Sequence, residues 1–190
     1  FPTIHVRHPL VDQILEILQD GSSKESIILI GHAGDGKSTI ALSVYKKLKG
    51  MGESQILATP LKEREDIDLN DGSSLVIVKD FSEWPILKRY ELFRELFHQR
   101  KGLFLKKKRL LLISNTGTLL DSICGFGEVE NMKSRTFWES ELLDKMSTEE
   151  SSLEIVEGGI SFRMFNLSLW DNLSLAERIL KKMLSPGNWK

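Results

Sequence analysis

The sequence is poor in the residues that would tie it to an oxidising compartment, a metal cluster or a membrane. It has one cysteine, Cys124, in 190 residues. That excludes an internal disulfide framework and a cysteine-built zinc site, and it fits a reducing cytoplasm. His5 and His8 have no partners at metal-ligand spacing. No apolar run approaches the roughly 20 residues that a membrane span requires. The opening "FPTIHVRHPL" lacks the basic-then-apolar layout of a signal peptide. Net charge is −1, so no overall field draws the chain to nucleic acid or an anionic membrane surface. No repeat or low-complexity tract stands out. What remains, 41% hydrophobic and 28% charged residues, is the composition of one ordinary globular domain over 1–190. The chain begins at Phe1 rather than Met and stops at "GNWK", which predicts a piece of a longer protein.

Apolar strands alternate with amphipathic helices along the chain. "SIILIG" (26–31), "SQILATPL" (54–61), "SLVIVKDF" (74–81), "RLLLISN" (109–115) and "ISFRMFNLS" (160–168) read as five strands. Helices are expected over "HPLVDQILEILQDGSS", where Gly21 ends the stripe, from Gly36 to Lys49, over 85–101, around Trp138–Met146 and over 173–185. In 85–101 the apolar Ile86, Leu87, Tyr90, Phe93, Leu96 and Phe97 recur at helical spacing, and the aromatics among them are expected to be core. "EREDIDLNDGSS" reads as a charged loop, and "TGTLLDSICGFG" as a short helix with a glycine exit. This alternation predicts an α/β fold with a mostly parallel sheet, whose chemistry lies at the carboxyl ends of its strands.

Three stretches fall at such ends. Gly31-His32-Ala33-Gly34-Asp35-Gly36-Lys37-Ser38 fits G-x-x-x-x-G-K-[ST], the phosphate-binding loop. Its glycines let the backbone curl until successive N–H groups converge on an anion, and the next helix aims its dipole at the same point. Lys37 adds a full charge for the β and γ phosphates. Ser38 offers a hydroxyl to Mg²⁺, and Thr39 one to the α phosphate. The second stretch, "LVIVKDF", ends in Asp80, placed to hold Mg²⁺ as a Walker B acid. The next residue is Phe81, so the nearest candidate general base is Glu83. The third ends in Asn115, for which two roles fit: orienting the attacking water or the γ phosphate, or closing a plain turn.

Two readings also stand for "KKKR" (106–109), a grip on DNA phosphates or a solubilising connection. Arg135, Arg163 and Arg178 are candidates for an arginine finger across a subunit boundary, with no single one favoured. No N/T-K-x-D guanine signature is evident, which leaves the choice between ATP and GTP open.

From the phosphate loop to the last strand the layout resembles the additional-strand catalytic-glutamate P-loop NTPases, near AAA+ and the signalling ATPases. "IGHAGDGKS" (30–38), "LISNTGTLLD" (112–121) and "FNLSLWDNLSLAERILKKMLSPGNW" (165–189) resemble the ATPase (F) component of the bacterial Dpt phosphorothioation-dependent DNA restriction systems. The resemblance implies a three-layer fold with a mostly parallel five-stranded sheet in the order 5-1-4-3-2. It implies an Mg²⁺-dependent ATPase working in the cytoplasm beside restriction subunits or copies of itself, with DNA reached through partners. It also implies a sensor role for Asn115 and an adenine pocket near Ile4 and Val6. The cysteine pairs, lid and second sensor arginine of such proteins are not in this sequence. Two rival functions are a nucleotide-dependent switch with little turnover and a small-molecule kinase, the latter disfavoured by the lack of an arginine-rich lid.

Overall fold

The structure, a computed structural model, describes residues 7–20, 25–52, 55, 57, 60–98, 108–155 and 160–184. Six strands form one mixed sheet: β1 (Ser26–Ile30), β2 (Arg64–Asp68), β3 (Ser74–Val78), β4 (Lys108–Ile113), β5 (Glu150–Ile155) and β6 (Ile160–Asn166). Their order is β2-β3-β4-β1-β6-β5. The inner four, β3-β4-β1-β6, are parallel, with Ile28 opposite Leu112 on one side and Met164 on the other. The two edges run antiparallel.

β1, β3 and β4 read as apolar runs because both faces are covered. Ile28, Ile30, Val76, Val78, Leu110 and Leu112 pack under α3 (Ile86–His98), α4 (Thr116–Val129) and α5 (Arg135–Met146). Their neighbours Ile27, Leu29, Leu75, Ile77, Leu111 and Ile113 pack on the opposite face under α1 (Leu10–Gln19) and α2 (Lys37–Leu48). Period-2 alternation thus feeds two separate cores, giving three layers. A last helix, α6 (Asn172–Met183), follows β6 and leaves Leu173 and Leu180 exposed.

The expected sheet needs three corrections. Among the described residues there are six strands, not five, and the sheet is mixed, its two edges antiparallel. The expected strand 54–61 is not seen: Gln55, Leu57, Pro60 and Leu61 lie outside any strand, and Ser54, Ile56, Ala58 and Thr59 fall outside the described residues. The place beside β3 belongs instead to "REDID" in β2, read from sequence as loop. Only Ile67 of that strand is buried, so its charges conceal it, as suits an edge that must resist further pairing.

A charged knot fastens this edge. Arg64 donates to both carboxylate oxygens of Glu95 on α3 (2.9 and 3.0 Å), and Lys108 of β4 donates to the same carboxylate. The Arg64 hydrogen bonds, helped by Lys108 and opposed by burial, hold the Glu95 carboxyl down at about 2, against an ordinary 4.5. A depressed carboxyl stabilises the fold above its unfolded value and ceases to do so as pH falls toward the folded one. Glu95 should therefore contribute stability at neutral pH that is lost between about pH 4.5 and 2. Glu95→Gln should cost about 1–2 kcal/mol at pH 7 and flatten that acid limb in denaturant titrations.

Packing decides two further expectations. Of the aromatics Phe93 is buried, with Leu92 and Leu96, and Tyr90 is half-buried, while Ile86 and Leu87 are exposed. The side chain of Phe97 and residues 99–101 lie outside the described set. Gly125 and Gly127, the expected glycine exit of "TGTLLDSICGFG", do not end the helix, since α4 runs through both to Val129. A Cβ on Gly125 would collide with the Tyr90 hydroxyl, and one on Gly127 with the Trp138 indole. They are the points where α3 and α5 close on α4. Helix propensity alone would make Gly127→Ala stabilising by about 1 kcal/mol. With the rigid indole in the way, a net loss of about 1–3 kcal/mol is expected in thermal or urea unfolding.

Candidate functional site

The carboxyl ends of β1, β3 and β4 meet around one cleft of about 440 Å³. Its first wall is the loop after β1. Gly34 (φ 92°) and Gly36 (φ 83°) are left-handed, which a side chain would resist, and Gly36 is the residue from which α2 starts. No side chain caps α2, so the amides of its first turn and its positive dipole end open onto the cleft. Ala33, Gly34, Gly36, Lys37, Ser38 and Thr39 all line it.

Lys37 Nζ donates to the carbonyls of Gly31 (2.9 Å) and His32 (2.5 Å), folding back over its own loop. Burial lowers its pKa, while the charges of Asp35 and Asp80 act in the opposite sense. The ammonium thus feels the acid across the cleft.

The second wall is the turn after β3. Asp80 is left-handed (φ 55°, ψ 40°), a conformation that costs a residue with a Cβ about 1 kcal/mol and is best tolerated by Asp and Asn. Strained backbone of this kind is concentrated at working sites. A 3-10 turn, Phe81–Glu83, follows, closed by the Glu83 amide on the Asp80 carbonyl (2.8 Å). Phe81 and Trp84 drop into the core, which leaves Ser82 and Glu83 on the cleft with Asp80. Arg89 of α3 staples the turn. It donates to the carbonyls of Trp84 (2.7 Å) and Ser82 (3.1 Å) and to Ser122 Oγ (3.2 Å), with its guanidinium against the Phe81 ring.

The floor comes from β4 and the residues after it. Asn115 Oδ1 accepts from the Thr118 amide (2.7 Å) and so caps α4, while the Asn115 amide donates to Ser82 Oγ (3.3 Å). The turn-forming role is therefore present. Asn115 also lines the cleft, where its side-chain nitrogen is the group left with donor capacity. Ser82 and Ser114 line it too, and no sequence motif marked either.

Of the loop residues expected to touch a nucleotide, Gly31, His32 and Asp35 are not on the cleft wall. Their polar groups serve the loop: two carbonyls take the lysine, and Asp35 Oδ2 accepts from the His32 amide (2.5 Å). The candidate arginine fingers, expected to act across a subunit boundary, are not on this chain's own cleft wall. Arg135 pairs with Glu139 and Asp121, and Arg163 with Glu25 and Glu150. Arg178 is exposed on α6. Among the described residues no arginine lines the cleft.

Within "KKKR", Lys108 belongs to the Glu95 knot. Arg109 is buried against Asp71, Ser73 and the carbonyls at the end of α1. Lys106 and Lys107, like Ile4, His5 and Val6, lie outside the described residues. His8 is buried, with Nδ1 accepting from the Leu10 amide.

Chemically, the cleft offers amide donors and a cation on one wall, and carboxylates on the other. Ser38 and Asp80 supply one hydroxyl and one carboxylate, a set that suits Mg²⁺, which takes few protein ligands and completes its octahedron with water and phosphate. No cluster of three or more His, Cys, Asp or Glu residues fit for a metal occurs among the described residues, so an all-protein cage is not the alternative there. No described helix is long and apolar enough to cross a membrane. No protein-family model matches the chain, and no curated protein or solved structure matches it.

Proposed function

We propose that this chain is a P-loop NTPase domain of the additional-strand type that binds ATP with Mg²⁺ and hydrolyses it. The observation that carries the reading is the uncapped start of α2, with Lys37 and Ser38, facing Asp80 across one cleft. The place of β4 between β1 and β3 agrees with that fold.

In this reading the amides of 33–39 and Lys37 hold the β and γ phosphates, as a helix start and a mobile cation do for any polyanion. Ser38 and Asp80 hold Mg²⁺, which when bound neutralises charge on the phosphate oxygens. Glu83 accepts a proton from water as the water oxygen bonds to the γ phosphorus. The bond from that phosphorus to the bridging oxygen breaks, and ADP departs with the electron pair. Asn115 steadies the water or the γ phosphate through its amide nitrogen.

Intrinsic turnover is slow, because no arginine among the described residues lines the cleft and Phe81 stands where a catalytic glutamate would follow Asp80. The same two features favour, as a second reading, a switch that changes assembly state on binding ATP. The setting we propose is a cytoplasmic bacterial DNA-restriction or anti-phage assembly, with partner subunits or further copies alongside and DNA contacted through partners. Phosphate release measured beside light scattering, in ATP and in ADP, separates the two. Release with unchanged mass supports the ATPase, whereas a mass change without release supports the switch. Neither response rejects both.

A further inference from the structure

An acid inside an anion-binding loop is a liability, and this loop contains one. Asp35 lies between Gly34 and Gly36, both on the cleft wall, yet Asp35 itself is not. Its carboxylate is held elsewhere. Asp35 Oδ2 accepts from the His32 amide (2.5 Å) and from Ser168 Oγ (2.9 Å), and that hydroxyl also accepts from the His32 amide (3.1 Å). The three groups form a closed ring linking residues far apart in sequence. A Cβ at Gly31 would lie 2.5 Å from the same carboxylate oxygen and 3.3 Å from Ser168 Oγ, so the ring sits tightly against a bare backbone.

Ser168 is firmly placed. The buried Leu167 donates its amide to the Ile30 carbonyl at the end of β1 (2.9 Å), and the Ser168 amide donates to Asn166 Oδ1 (3.1 Å). The serine therefore stands at the root of the loop, fixed by β1 and β6.

Resting on the nucleotide-binding reading above, we infer that Ser168 is a positioning residue that keeps the Asp35 carboxylate out of the phosphate site. Released from the ring, the carboxylate would repel a polyphosphate and compete with it for the loop amides and for Lys37. The effect scales with ligand charge, which separates it from general loosening of the loop.

The test is calorimetric titration of the whole chain with Mg·ATP and with AMP. S168A should weaken Mg·ATP about tenfold, the size of one lost hydrogen bond to a charged group, and AMP by much less. S168T, which keeps the hydroxyl, should restore most of the affinity. In a D35N background the serine should matter less than threefold, since no charge remains to be released. S168C carries the same comparison if S168A does not fold. Wild-type binding with S168A inside twofold of it overturns the inference and leaves the nucleotide reading intact. An equal loss for ATP and AMP, or an undiminished loss in D35N, also overturns it. Absence of any wild-type binding overturns both.

Discussion

Lys37→Ala is expected to remove measurable ATP binding, a loss of at least about a hundredfold in calorimetry. The ammonium is the only full positive charge on the cleft wall among the described residues, and it sits where the α2 dipole already favours an anion. Its present bonds are to two loop carbonyls, both of which a phosphate can replace. Burial lowers its pKa, so the charge is poorly solvated and gains from a polyanion more than an exposed lysine would. Stability should change little, because the side chain contributes two hydrogen bonds at a helix start and no core packing. Lys37→Arg should not rescue binding, since a planar guanidinium cannot follow the curled loop as a flexible ammonium does. Unchanged affinity in the alanine variant, with the fold intact, would remove the phosphate-loop assignment.

Glu83→Gln should retain ATP binding and lose turnover by a factor of about 10² to 10³, the usual range for deleting a general base. The amide keeps the size of the side chain and cannot accept the proton. Glu83 shares its turn with Asp80, and Phe81, Trp84 and Arg89 hold that turn from behind. The carboxylate is thus presented by a fixed scaffold rather than by a loose loop. Rapid quench in a single turnover isolates the chemical step from product release. Normal turnover in this variant would assign the base elsewhere, with Asp80 or a partner residue next to be examined.

Why these residues were legible, and others were not, follows from where each draws its contacts. The proposed phosphate loop is local: the strand, Gly34, Gly36 and Lys37 lie within one short stretch, so their spacing can be read without the fold. "SIILI", "SLVIV" and the "RLLLI" of β4 stand out because both of their faces are buried, so four successive positions in each are apolar. The edge strands carry no such mark. Among the described side chains, β2 and β5 each bury one residue, Ile67 and Leu153, and charge or serine fills much of the rest.

Gly125 and Gly127 read as a helix stop because local propensity says so. Their true neighbours, Tyr90 and Trp138, come from other helices. Ser168 shows the same limit at the site, since its partners His32 and Asp35 are reached only once β6 lies beside β1. Asp80 could be located by pattern. Its left-handed backbone and the Arg89 staple behind it could not.

The account turns on one nucleotide and one metal ion lying between the start of α2 and the end of β3. Amide-resolved NMR with ATP tests this directly when Mg²⁺ is exchanged for paramagnetic Mn²⁺. The account predicts ATP-induced shifts from Gly34 through Thr39, and Mn²⁺ broadening strongest at Ser38 and Asp80, absent without nucleotide. Shifts confined to other parts of the chain, or broadening that spares Ser38 and Asp80, would contradict it.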